Sequence, residues 1–268
     1  GGQAVNTLDA LFPAEDFRFQ LGLQRGDPAE FFRPKDDSGR LLGERRRWLA
    51  EAPERYAALR PGHARLLDAT GDLLTARGLS GPKPPRTLSG LGAAIEPDLL
   101  WLAADESGVF RLVGGVLCFP TGWALEEKIG QPMEFIHGPV PGLNAGLGSQ
   151  IGQFLARMKP DAAYLRHNWG LAATAELNLH PSLCRPRPSL PLDPACLWLR
   201  VEHQLLLALP GGGVLFAIRI ELMEIAAVHN HATAAHGLSR ALRSMPEAVA
   251  AYKGIAEIRL ELADWLVA

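Results

Sequence analysis

The sequence predicts an α+β protein, with an antiparallel sheet in its middle and C-terminal parts and helices at both ends. Three observations carry this prediction. Leu197 to Met223 reads LWLRVEHQLLLALPGGGVLFAIRIELM, two apolar runs around Pro210-Gly211-Gly212-Gly213, which is the pattern of a β-hairpin. Asp98 to Ala103 and Val109 to Phe119 are two more strand-like runs, joined by the turn-rich Asp105-Glu106-Ser107-Gly108. The two ends instead show helical spacing, as in Leu66, Leu67, Leu73 and Leu74.

In chain order, Pro13, Pro28 and Pro34 interrupt any long helix in residues 12–34, a stretch rich in Phe. Leu41 to Ala58 is helical in character, and Pro53 splits it into two short helices. Pro61 to Arg77 places its leucines on one helix face, with Pro61 suited to a first turn. Gly81 to Arg86 (GPKPPR) is rich in breakers and marks the internal boundary. The expected organisation is a helical N-terminal layer, residues 1–80, packed on a core of residues 87–268. After the first strand pair, Pro120-Thr121-Gly122 stops the second strand and Trp123 to Ile129 reads as a helical turn. Phe135 to Gly142 is a stiff Pro- and Gly-containing loop, Asn144 to Met158 a helix and Tyr164 to Leu171 a strand. Residues 181–194 hold five prolines and form an irregular crossing before the hairpin. Helices follow over His231–Arg243, Pro246–Lys253 and Ile255–Val267.

Composition narrows the function classes. A chain of 268 residues with 47% hydrophobic content can bury a large core. Its net charge of -2 gives no electrostatic footprint for nucleic acid or an anionic membrane. No window reaches the roughly 18 to 20 apolar residues of a membrane span, and no basic region precedes an apolar one at the start. Cys118, Cys184 and Cys196 have no CxxC spacing and cannot all pair, which speaks against a zinc knuckle, an iron–sulfur cluster or a disulfide framework. A cytoplasmic protein is the expectation. Gly142 to Gly152 (GLNAGLGSQIG) lacks the Lys-Ser/Thr pair of a P-loop, and no GxSxG elbow is present. His229, His231 and His236 fit a helix start better than a metal site.

Two places carry chemistry. Along the first hairpin strand, Arg200, Glu202 and Gln204 share one face, while Leu199, Val201, His203 and Leu205 share the other. Three polar groups on an apolar strand are costly to bury unless paired. They form either a salt-bridge ladder, with Arg219 and Glu221 as partners on the return strand, or a site. His137, between Ile136 and Gly138-Pro139-Val140-Pro141, is held by a rigid apolar backbone, a setting that suits either a structural histidine or an axial metal ligand.

Beyond these spacings, five segments in order resemble the haem-dependent oxidative N-demethylase family, the α-subunit type associated with dimethylamine monooxygenase. They are DFRFQLGLQRGDPAEFF, GGVLCFPTGWALEEKIGQPMEFIHGPVPG, RHNWGL, LRVEHQLLLALPGGGVLFAIR and LRSMPEAVAAYKG. The resemblance implies a PAS-like sheet enclosing one haem b, and oxidation of the N-methyl group of a small secondary amine with O2. The products implied are the primary amine and formaldehyde. Electrons are implied to come from NADPH through separate partners carrying flavin (FMN) and an iron–sulfur cluster.

Residue by residue, the resemblance makes His137 the iron ligand and places Arg200 and Glu202 in the distal pocket. Glu202 is implied as amine anchor or proton relay, and Arg200 as its charge partner or an oxygen-side donor, with Gln204 lining the same cavity. Lys128, Arg166 and His167 are implied as partners of haem carboxylates, and Trp123 and Trp169 as packing for the macrocycle. The family block reads RVERQTLRRLP, whereas this chain has His203, Leu205 and Leu207-Ala208 at the variant positions. A diverged member performing a different amine oxidation is therefore an alternative, as is a PAS-like haem sensor of gas or redox state, although no output segment is evident. A scaffold without turnover is a third.

Overall fold

The computed structural model describes residues 2–19, 21–133 and 143–268. It is α+β: among the described residues, seven strands form one antiparallel sheet and twelve α-helices surround it. The strands are β1 (Gln24–Arg25), β2 (Ala57–Leu59), β3 (Asp98–Ala104), β4 (Phe110–Val116), β5 (Ala163–Ala172), β6 (Trp198–Ala208) and β7 (Val214–Glu224). They lie in the order β1-β5-β6-β7-β3-β4-β2, so both edge strands come from the first 60 residues and the hairpin lies inside the sheet.

The hairpin forms where the sequence places it. Gly211, Gly212 and Gly213 adopt φ of 80°, 98° and 87°, values that favour glycine over any side chain. Ala208 pairs with Val214 across the turn, so the ladder matches His203 with Arg219, Val201 with Glu221, and Glu202 with Ile220. Opposed residues share a face. Arg219 and Glu221 therefore project away from Arg200 and Glu202, which corrects the expected ladder. Arg219 instead bonds Glu96 and the carbonyls of Phe31 and Arg33, and Glu221 accepts from His203.

Helices split at Pro53 as expected, into α3 (Arg40–Glu51) and α4 (Pro53–Tyr56). Leu66 and Leu74 of α5 (Ala64–Ala76) are fully buried in one core with Tyr56, Trp101, Leu205 and Leu215. That core ties the first 80 residues to the sheet through apolar burial, worth about 1.5–3 kcal/mol per large side chain. The helical turn after β4 is α7 (Leu125–Lys128), preceded by α6 (Leu88–Ala94). The Gly-rich stretch is helical in α8 (Leu143–Arg157), which disposes of a phosphate loop there.

A second core lies under the C-terminal helices α10 (Ala232–Ser244), α11 (Glu247–Tyr252) and α12 (Arg259–Leu266). Phe12 reaches into it, and a Cβ at Gly237 would collide with the Phe12 carbonyl oxygen, so this contact requires glycine. His231 caps α10, its Nδ1 accepting from Ala234 N at 3.3 Å, as its place at a helix start predicts. Among the described residues no three-residue metal cluster occurs, and no helix is long and apolar enough to cross a membrane.

Candidate functional site

The alternation of β5 and β6 builds a polar row on one sheet face. Register sets Arg166 opposite Gln204, Asn168 opposite Glu202, and Gly170 opposite Arg200. The next strand, β7, continues that face with Ile218, Ile220 and Leu222. Glu202 is the centre of the row. Thr121 donates to its Oε1 at 3.0 Å and Gln204 Nε2 to its Oε2 at 2.7 Å, with Asn168 Nδ2 at 3.5 Å.

Arg200 does not touch Glu202 directly. Its Nε donates to the Thr121 hydroxyl at 3.0 Å, and its Nη2 donates to the carbonyls of Phe119 at 3.0 Å and Leu177 at 2.8 Å. Those carbonyls belong to two loops that are themselves joined, Leu179 N donating to Pro120 O and Gly122 N to Leu179 O. Arg200 thus clamps both loops and delivers Thr121 to the carboxylate. At the other end, Arg166 Nη1 donates to Gln204 Oε1 at 2.7 Å and its Nε to Leu21 O at 3.0 Å.

The polarity of this network follows from its ends. Arginine only donates. Arg200 occupies the Thr121 oxygen, so the Thr121 proton goes to Glu202. Arg166 fixes the Gln204 carbonyl, so the Gln204 amide also faces Glu202. Both carboxylate oxygens meet donors, an arrangement that an ionised carboxylate satisfies and an amide does not.

Behind this row, Asp98 accepts from the backbone of Cys118 at 2.7 Å and of Phe119 at 3.0 Å, and pairs with Arg45. Arg45 and Asp98 are both 0% exposed, and Arg45 Nε also donates to Gly92 O. A buried ion pair therefore fixes the two peptide units that lead into the Phe119 carbonyl gripped by Arg200.

Three cations sense the Glu202 charge. Burial lowers Arg166, pulls Arg200 down to about 10 and Lys253 down to about 8, while the Glu202 charge opposes each shift. Lys253 donates from Nζ to Trp169 O at 2.7 Å, capping the β5 backbone beside Asn168. None of these three cations has a carboxylate within ion-pair distance among the described residues.

The expected site residues separate into groups. Arg200, Glu202, Gln204 and Arg166 come together. His167 and Trp169 leave β5 on the opposite face: Trp169 packs edge-on against Phe12 at 5.3 Å, and His167 meets His203 at 4.9 Å between ring centroids. Trp123 and Lys128 pair with each other, the ammonium 4.6 Å from the ring centre, and no hydrogen bond or ring contact joins them to the Glu202 row among the described residues. His137 lies outside the described residues, with the loop around it. Thr121, Asn168 and Lys253 were not singled out from the sequence. Asn168 was within reach, because it shares alternation with Arg166. Thr121 and Lys253 carry no local signal, lying 81 and 84 residues from their partners.

The opposite face has its own titration. Burial and the adjacent His203 push His167 from 6.5 down to about 4, and the His203 hydrogen bond lowers Glu221. A histidine depressed in the folded state takes its proton first in the unfolded chain, so this group withdraws stability as pH falls from about 6.5 towards 4. An NMR titration should find the His167 ring neutral at pH 5. His167→Gln should flatten the acid limb of stability in that window, and an ordinary midpoint near 6.5 would contradict the assignment.

The family model described as haem-dependent oxidative N-demethylase, alpha subunit-like, matches residues 51–263. The matched span contains Thr121, Arg166, Arg200, Glu202 and Lys253, together with six of the seven strands. A match over most of the sequence, on a fold that gathers the segments singled out by resemblance, places this chain in the haem-dependent oxidative N-demethylase alpha subunit-like family.

Proposed function

We propose that this protein oxidises a small amine, by default removing an N-methyl group from a secondary amine, with a haem held against the Glu202 face of a PAS-like sheet. The single observation that carries the reading is Glu202 itself, a carboxylate with both oxygens fixed by donors beside apolar Ile218, Ile220 and Leu222. Such a group suits a cationic ammonium in a low-dielectric place. The balance is secondary amine, O2, two electrons and two protons giving primary amine, formaldehyde and water.

The residues present fit a haem. Leu206, Phe216 and Leu222 are half-buried on the central strands, an apolar strip on the Glu202 face that suits the edge of a macrocycle. Arg166, half-buried and without a carboxylate in ion-pair distance among the described residues, suits a haem carboxylate. Both strand histidines, His167 and His203, face the other way, and His137, in the IHGPVPG segment that resembles the family's block, is the proposed iron ligand. Arg166 is proposed to hold a haem carboxylate, with Lys128 and Trp123 as a further cation–aromatic contact. His167 and Trp169 have no part in it. When bound, the haem supplies oxygen activation, using electrons from a separate flavin and iron–sulfur reductase. This chain's residues do the rest: Glu202 orients the amine and holds its proton, Thr121 and Gln204 hold Glu202, and Arg200 holds Thr121.

The test is spectroscopic. The purified protein, supplied with haem b, should show a Soret band that shifts on titration with dimethylamine or a related secondary amine. His137→Ala should lose the haem or bind it loosely. A Soret band indifferent to all amines, or haem binding unchanged in the alanine variant, would defeat the corresponding assignment.

A further inference from the structure

We infer that Arg25 of β1 binds one carboxylate of the haem, with Arg166 as the cation for the other. This rests on the proposed haem site and names a second charged contact in it. The register places Arg25 on the face concerned. It pairs with Tyr164, which pairs in turn with Leu206, on the alternation that carries Arg166, Asn168 and Glu202. Its guanidinium carbon lies 4.8 Å from the Tyr164 ring centre, so the side chain turns to that face. Phe154 of α8 meets the same ring edge-on at 5.0 Å, which makes Tyr164 a fixed base for the cation. The main chain is fixed as well. Gly26 N donates to Ala163 O at 3.1 Å, and a Cβ at Gly26 would collide with the Leu165 side chain, so β1 ends pressed against β5.

Arg25 has donors to spare. It is exposed, and among the described residues its guanidinium makes no ion pair and no hydrogen bond. Asp27, the nearest acid along the chain, caps α2 (Pro28–Phe32) by accepting from Ala29 N at 2.9 Å. A ring contact occupies the flat face of a guanidinium and leaves its N–H groups, which point out in its plane, for a bidentate carboxylate. Arg166 is the diagonal neighbour of Arg25, about 7–8 Å away at the backbone. It keeps an uncommitted Nη2, since only its Nε and Nη1 donate in the network. Two cations so placed repel one another until an anion joins them. Arg200 is different: 1% exposed and spent on Thr121, Phe119 O and Leu177 O, it is unavailable to a ligand. Haem carries both carboxylates on one edge, and the two arginines with free donors stand together at one edge of the sheet. From Tyr164 to Asn168 is about 13 Å along the strand, a span that lets a porphyrin anchored at Arg25 and Arg166 reach the Glu202 row.

The experiment compares ferric haem with its dimethyl ester, whose carboxylates are blocked, by Soret titration of the haem-free protein. Wild type, Arg25→Gln and Arg25→Lys are measured. Wild type should bind haem more tightly than the ester. Arg25→Gln should lose about tenfold in haem affinity, the value of one charge-assisted hydrogen bond, and nothing towards the ester. Arg25→Lys, a cation without the planar fork, should recover part of the loss. Should the glutamine variant fail to fold, Arg25→Met, whose stem still covers the Tyr164 ring, takes its place with the same expectation. Equal losses for both porphyrins, or no loss for haem, would overturn the inference and leave the oxygenase reading standing. Wild type that binds haem and ester equally well would overturn it too, since no carboxylate would then meet a cation. Wild type that binds neither porphyrin would overturn both.

Discussion

Asp98→Ala is expected to destabilise the protein by roughly 3–5 kcal/mol, the usual cost of breaking a buried ion pair from one side. Three groups lose their acceptor at once: the Arg45 guanidinium and the amides of Cys118 and Phe119. Arg45 already has one buried nitrogen, Nη2, without a partner, so little remains to absorb the change. Replacing both residues, Arg45→Leu with Asp98→Ala, should recover only part of the loss, because the two amides stay unpaired. Denaturant unfolding of wild type and the two variants measures this directly. A loss below about 1 kcal/mol for Asp98→Ala would mean that water reaches the site and that the pair does not hold the loop. The effect should extend to the site, since Phe119 O is one of the anchors of Arg200.

Glu202→Gln is the second large effect, and it acts on function. Amine-dependent turnover should fall by roughly 100-fold or more, the range for losing a positioned acid–base group. Haem content should hold, because the substitution preserves volume. The cause is more than lost charge. Thr121 and Gln204 both point donors at this residue, and Arg200 and Arg166 prevent either from reversing. A glutamine must therefore present its own amide to a donor, and the network breaks at its centre. The amine-induced Soret shift should vanish with turnover. Unchanged amine affinity in this variant would remove Glu202 from the site.

Local patterning made much of this legible. Alternation placed Arg200, Glu202 and Gln204 on one face and His203 on the other, and the ladder has them so. The partners were misread because the turn sets parity: the five residues 209–213 separate Ala208 from Val214, so odd positions face odd positions. Glycine at 211, 212 and 213 made a turn evident but not its length in the ladder. The same alternation separates Arg166 from His167 and Trp169, which a motif read as a block does not reveal. Thr121 was beyond local reading, for its role depends on a loop brought beneath Arg200 by long-range pairing. Lys253 was hidden for the same reason. The buried pair of Arg45 and Asp98 gave no sign either, since an arginine between charged helix residues reads as a solvated one.

The strand order also fixes a timetable for folding. The two central strands, β6 and β7, are the last to leave the ribosome, while the edge strands β1 and β2 are the first. Before residue 198 is made, β5 with β1 and β3 with β4 and β2 can exist only as separate fragments, each with an open flank of unpaired amides. The hairpin must then insert between them and close both flanks in one event. Such non-local assembly is slow, and the waiting fragments are prone to pair with other chains. Slower synthesis at low temperature should thus raise the yield of folded protein, and chains cut before β6 should accumulate as aggregates.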